Sequence, residues 1–197
     1  MEVINIKKGV KIDVQKVAPG VKLVRAGLAW DKSTKDGQEF DLDVSVVCCD
    51  DNDQVVGQDG YVFYNHVANC NKSVYISGDN RDGAAEGYDE EAFVKFDSVI
   101  PEIKTIYIVV SIEKFKTRKQ NFGQIGKAFC DVYNEDTREK IIHFDLTEDM
   151  SAGTNCVVAR FRREADGGWS FKAVGEAGED GLKGALKKYG IEAEADE

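Results

Sequence analysis

Apolar and polar residues alternate along most of this chain in short runs. Segments 10–14, 21–30, 40–49, 61–65, 73–77, 92–96, 105–112, 128–133, 140–146, 155–162 and 169–174 each carry the period-two pattern or the β-branched and aromatic content of a strand. Turn-forming runs separate them, among them Ala18-Pro19-Gly20, Asp50-Asp51-Asn52-Asp53, Asn134-Glu135-Asp136 and Asp166-Gly167-Gly168. A series of strands without intervening helical patterns predicts an antiparallel sandwich or barrel. Only segment 181–189 has helical spacing, with Leu182, Ala185, Leu186 and Tyr189 on one face. There is no internal repeat and no linker, so a single domain over 1–191 is expected, followed by a disordered acidic tail at 192–197.

Segment 40–49 alternates most strongly. Phe40, Leu42, Val44 and Val46 take one face, and Asp41, Asp43 and Ser45 the other. On a strand this sets Asp41 and Asp43 on the same side, about 7 Å apart. An apolar face backed by a carboxylate-bearing face is the pattern expected at the rim of a sheet.

Charge changes the picture. Between residues 36 and 91 there are 14 Asp or Glu against 2 Lys or Arg, while the whole chain has 36 against 26. The rest of the chain is therefore nearly balanced, and the net charge of −10 originates in this window. Carboxylates at that density repel one another unless water, salt or a bound cation offsets them. A solvated acidic face accounts for the window, and so does a cation site. Two details point to the second: the acids are interleaved with strand-type residues, and Gly78, Gly83 and Gly87 let a backbone curl with its carbonyls aimed inward. Carboxylates and carbonyls on a tight loop are the donor set of Ca²⁺. Residues 79–90 have the first and last positions of an EF-hand loop. However, Arg81 stands third and Ala84 stands where that loop requires glycine, so the EF-hand reading fails.

The acidic balance, with a pI near 4.8, argues against nucleic acid as a partner. The longest apolar runs are too short to span a bilayer, and the first residues lack the order of a secretory signal. A cytoplasmic protein, not itself a membrane protein, is the expectation. Five cysteines (Cys48, Cys49, Cys70, Cys130, Cys156) form no Cys-x-x-Cys pair. Most lie in apolar strand contexts, and Cys48 and Cys49 point to opposite faces, which disfavours a shared metal. His66 and His143 have no ligand spacing to them.

Six motifs resemble, in order, the TerD family of tellurite-resistance and stress proteins. They are Gly27-Leu28-Ala29-Trp30-Asp31, Phe40-Asp41-Leu42-Asp43, Phe63-Tyr64-Asn65, Ser77-Gly78-Asp79-Asn80 with residues 87–90, Arg118-Lys119-Gln120-Asn121-Phe122-Gly123-Gln124, and Gly168-Trp169-Ser170-Phe171-Lys172-Ala173-Val174-Gly175. The resemblance covers nearly the whole chain. It implies an all-β, antiparallel β-sandwich with a short C-terminal helix that binds about two Ca²⁺ ions and has no catalytic residues. By position, the implied metal ligands are Asp41, Asp43, Asp79, Asn80, Asp89 and Glu90, with Gly87 matching a loop glycine whose carbonyl also ligates. Tyr88 departs from the pattern, because relatives usually carry another Asp there, which leaves the number of sites open. Asp31, Asp36, Asp82, Glu86 and Glu91 are nearby acids that either ligate or are solvated. Implied partners are other tellurite-resistance and stress proteins, at a membrane-associated complex.

Two other readings stand beside this one. A metal-dependent phosphate-ester hydrolase or nucleotide-binding protein would place a metal on Asp41 and Asp43 and a phosphate near Arg81. The resemblance also implies relatives once described as cAMP-binding proteins; against hydrolysis, no nucleophile–base pair is visible. Direct thiol chemistry on tellurium oxyanions would need exposed cysteines of low pKa. For 118–124, the simpler reading is a loop anchored by Phe122 and capped by Gln124, and the other is a partner surface.

Overall fold

The computed structural model describes residues 2–30, 40–77, 88–146 and 153–193. In chain order the described strands are β1 (Ile4–Ile6), β2 (Lys11–Asp13), β3 (Leu23–Trp30), β4 (Leu42–Cys49), β5 (Tyr61–Val62), β6 (Val74–Ile76) and β7 (Glu90–Lys95). They continue with β8 (Thr105–Ile112), β9 (Ala128–Asn134), β10 (Glu139–Asp145), β11 (Asn155–Arg163) and β12 (Trp169–Gly178). These strands form two six-stranded sheets, β1-β10-β9-β3-β7-β6 and β2-β12-β11-β8-β4-β5, packed as a sandwich. Every pairing is antiparallel except β1 beside β10, which is parallel. Among the described residues, three short α-helices accompany them: α1 (Val14–Val17), α2 (Phe115–Arg118) and α3 (Gly181–Lys187).

The alternation places most elements within a residue or two, and β8 falls on its expected bounds. The differences come from short elements. The chain opens with the three-residue edge strand β1, which is too brief to show a period. The expected first strand, 10–14, stops at Asp13, whose carboxylate accepts the Lys16 backbone N–H at 3.1 Å and so caps α1. The expected strand 61–65 shrinks to two residues. The tail 192–197 lies partly outside the described residues.

Burial explains the sheet order. Ile106, Ile108, Val110 and Ile112 of β8 enter the core between the sheets, together with Leu42, Val44, Val46 and Cys48 of β4. The opposite face is not at a rim. Val47 and Cys49 of β4, with Tyr107 and Val109 of β8, form a second apolar cluster against Ala185, Leu186 and Tyr189. Helix α3 thus covers the outer face of the second sheet, with Tyr107 and Tyr189 ring centroids 4.7 Å apart. A strand buried on both sides reads as a near-continuous apolar run, as 105–112 does. Cys48 and Cys49, one residue apart, belong to different clusters.

The two sheets share their ends. Phe96, just after β7, stacks on Trp169 at the start of β12, with centroids 5.0 Å apart, and donates its N–H to Lys22 O. Arg163 at the end of β11 lies over Trp169 and donates to Val99 O at 2.8 Å. That packing joins one end of each sheet. The ends of β3, β6, β8 and β10 and the starts of β4, β7, β9 and β11 therefore gather at the opposite end.

Leu186 is fully buried between α3 and the second sheet. Leu186→Ala is expected to lower unfolding free energy by about 2–5 kcal/mol, the usual cost of emptying a leucine site. Urea denaturation reads it directly. A cost below about 1 kcal/mol would mean that α3 does not hold the outer face.

Candidate cation site at one end of the sandwich

Strand pairing positions two of the expected ligands. Leu28 of β3 lies opposite Glu90 of β7. Asp89, one residue earlier, donates its N–H to Leu28 O at 2.9 Å, and its Oδ2 accepts the Trp30 backbone N–H at 3.0 Å. Glu90 is buried and shares the inner side of β7 with Ala92 and Val94. Glu91 turns to the outer side and ion-pairs with Arg25, whose Nε also bonds Glu135 at 2.8 Å. Glu91 is thus engaged by a cation and faces away from Glu90.

The other pair begins β4. Leu42 lies opposite Ile112 and Asp43 opposite Ser111. Asp43 shares the outer side of the second sheet with Val47 and Cys49. Asp41 O accepts the Glu113 N–H at 2.9 Å. The two side chains also meet: a hydrogen bond with Asp41, against the opposing effect of burial, holds the Glu113 carboxyl below its ordinary range, helped by Lys114. Arg118 Nη1 is 3.9 Å from Asp41 Oδ2.

Asp41, Asp43, Asp89 and Glu90 therefore share one end of the sandwich but sit on different sheet faces. Asp79, Asn80 and Gly87 lie outside the described residues, as do Asp31, Asp36, Asp82, Glu86 and most of the segment compared with an EF-hand. Among the described residues, no three His, Cys, Asp or Glu side chains are placed to hold a metal ion. The donors present are carboxylate oxygens, the type that Ca²⁺ takes. Glu113 and Arg118 were not singled out for this end from sequence, because only the pairing of β8 with β4 brings them to Asp41.

Segment 118–124 is built as an anchored loop. Phe122 is buried, Gly123 N donates to Asn121 Oδ1 at 3.0 Å, and Asn121 N donates to Gln124 Oε1 at 2.7 Å, a reciprocal cap.

Beside the acidic end lies a polar network that sequence reasoning missed. Tyr88 packs flat on Gly27, where an added Cβ would come 2.5 Å from Tyr88 Cγ. Its hydroxyl donates to Asp131 Oδ2 at 2.6 Å and lies 2.8 Å from the Tyr133 hydroxyl. Lys140 Nζ is 2.7 Å from Asp131 Oδ2, and His143 Nδ1 is 2.6 Å from Asp131 Oδ1. Burial works to raise the Asp131 carboxyl, but hydrogen bonds from Lys140, Tyr88 and His143 outweigh it and hold the group below its ordinary range. The same bond raises the Lys140 ammonium. The one sequence signal was an acid within the apolar alternation of 128–134.

The thiols are ill suited to redox chemistry. Cys48, Cys49, Cys130 and Cys156 are buried and only Cys70 is exposed. Burial pushes Cys48 up to about 12 and raises Cys49 and Cys130 further. A hydrogen bond to Asp59 raises Cys70.

A TerD domain model matches residues 1–189. The chain belongs to the TerD family. Tellurium resistance protein TerD of Serratia marcescens is 38% identical over 190 residues, covering 96% of this chain and 98% of that one. General stress protein 16U of Bacillus subtilis (strain 168) matches at the same identity and coverage. A crystal structure of a homologue of telluride resistance protein from Streptomyces coelicolor A3(2) superposes with a TM-score of 0.69 at 21% identity. It covers 88% of this chain and 100% of that one, and shows the shared TerD fold. Among the described residues of this TerD protein, no helix is long and apolar enough to cross a membrane.

Two outcomes are expected here. A thiol reagent should label one cysteine quickly in the folded protein and the other four only on unfolding, as counted by absorbance; fast reaction of two or more would contradict the burial. Asp131, lowered in the fold, contributes stability that is complete above the unfolded carboxylate value of about 3.9 and is lost as pH falls through the folded value. Asp131→Asn should therefore flatten the fall of melting temperature below about pH 4. Parallel acid limbs in the two proteins would refute this. Lys140, raised in the fold, contributes below about pH 10.4 and loses that contribution as pH rises through its folded value.

Proposed function

We propose that this chain is a non-enzymatic Ca²⁺-binding protein of the tellurium-resistance and general-stress type, working as a single cytoplasmic domain over residues 1–191. Its ligands are Asp41, Asp43, Asp79, Asn80, the carbonyl of Gly87, Asp89 and Glu90. The supporting observation is the anchoring of Asp89 and Glu90 by β3: one carboxylate oxygen of Asp89 is held by a backbone N–H, and Glu90 is drawn into the sandwich end. Asp41 and Glu113 add a second carboxylate pair at that end. Holding the buried Glu90 beside Asp89 costs free energy unless a cation compensates.

Bound Ca²⁺ supplies positive charge and coordination that join carboxylates from separate segments. The chain's own part is to hold Asp89 and Asp41 at strand starts, where pairing limits their movement, and to keep Arg25 on Glu91. Asp41 and Asp43 on one side and Asp89 and Glu90 on the other would hold the ion, and its charge would offset theirs and favour a Ca²⁺-dependent face for partners among other tellurium-resistance and stress proteins. His143 is engaged by Asp131, and His66 Nε2 lies 3.3 Å from Asp59, away from the acidic end, which fits a binding role better than hydrolysis.

Calorimetric Ca²⁺ titration of chelator-stripped protein should show saturable binding that is lost in Asp79→Ala/Glu90→Ala. At a free concentration of 100 times Kd, Ca²⁺ should add about 2.7 kcal/mol, which raises the melting temperature by about 5–11 °C. Absence of both heat and thermal shift would sink the reading.

A further inference from the structure

We propose that Tyr88 is a positioning residue for the cation site: it pins the entry to β7 onto the outer face of the first sheet and so presets Asp89 and Glu90. The inference rests on the Ca²⁺ reading above.

Three contacts hold Tyr88. Its ring lies on Gly27, where no other residue type leaves room. Its hydroxyl is shared between Asp131 and Tyr133. Its ring edge meets Phe129 and Tyr133, with centroids 6.2 and 5.8 Å away. The acceptor is itself immobile: Asp131 is 1% exposed and is gripped by Lys140 and His143. A phenol bonded to a buried carboxylate that is already hydrogen-bonded on both oxygens has one preferred position. The next residue is Asp89 and the one after it Glu90, so the backbone that Tyr88 fixes is the backbone that carries two ligands.

The geometry also excludes the alternative role. The Tyr88 hydroxyl points into the outer-face network, whereas Glu90 lies on the inner side of β7. The Tyr88 hydroxyl therefore supplies no oxygen to the ion. It acts on affinity by reducing the ordering that binding must bring about, the usual benefit of a preorganised site.

The test compares three full-length proteins by Ca²⁺ calorimetry and by melting temperature without Ca²⁺. Tyr88→Phe keeps the ring on Gly27 and deletes the hydroxyl. Tyr107→Phe is the control, deleting a matching bond (Tyr107 hydroxyl to Asp53, 2.8 Å) at the far end of the sandwich. Tyr88→Phe should weaken Ca²⁺ binding about tenfold at unchanged stoichiometry, the factor that one hydrogen bond to a charged acceptor is worth. Tyr107→Phe should lower the melting temperature and leave Ca²⁺ affinity within about twofold of wild type, as expected for a distant independent site. Gly27→Ala, which forces the ring off its seat while keeping the hydroxyl, should also weaken binding. Wild-type affinity in Tyr88→Phe would overturn the proposal while leaving the Ca²⁺ site intact. Equal weakening by both tyrosine variants would reduce Tyr88 to a general stabiliser and overturn it too. A wild-type protein that binds no Ca²⁺ would overturn both readings.

Discussion

The two-sided burial of β8 is the constraint on which the rest of this sandwich depends. Its even-numbered residues fill the space between the sheets, so Tyr107 and Val109 need a separate cover. The chain provides one by returning after β12 and laying α3 across β8 and β11. Residues 181–189 are amphipathic for that reason, and the outer side of β4 is apolar at Val47 and Cys49 but acidic at Asp43. The helix starts at the end where β4 begins, with Gly181 N–H on the Thr154 hydroxyl, but lies over β8, β11 and β12, and Asp43 stands at the start of β4 beside it.

The first sheet treats its outer face differently. There Asp131, Lys140, His143, Tyr88, Tyr133 and Arg25 replace an apolar cover with ion pairs and rings. A buried carboxylate is tolerable only when its lone pairs are satisfied, and Asp131 has three donors. A bulge in β10 makes this possible. The register slips between Lys140 and Ile142, so Lys140 faces Tyr133 while His143 faces Asp131, and both side chains emerge on one face. In a regular strand those two would point opposite ways.

That bulge marks a limit of what alternation can convey. Strands long enough to show two or three periods were legible: β4, β8, β9 and β11 appear close to their expected bounds, and the spacing of Leu182, Ala185, Leu186 and Tyr189 announces α3. Elements of three or four residues, such as β1 and α1, carry too few positions for a period and form because neighbours pair with them or cap them. The acids of the candidate site were legible as a composition and a motif. Which acid faces which way was not. Glu90 and Glu91 are adjacent and alike in sequence, yet one is drawn inward by its register opposite Leu28 and the other is claimed by Arg25 from β3. Glu113 and Arg118 reach Asp41 from far along the chain through sheet pairing that no local pattern encodes.

The alignment of the sheet ends gives the molecule two poles of different character, with one indole at each. Trp30 closes β3 and donates its backbone N–H to Asp89. Trp169 opens β12, sandwiched between Phe96 and Arg163. One tryptophan is thereby joined through its own backbone to the acidic pole, while the other is sealed in an aromatic stack that never touches it. Both rings nevertheless belong to one core, Trp169 within it and Trp30 packed against its edge, so the acidic pole is tied through a single backbone N–H to the same apolar interior that the other pole closes.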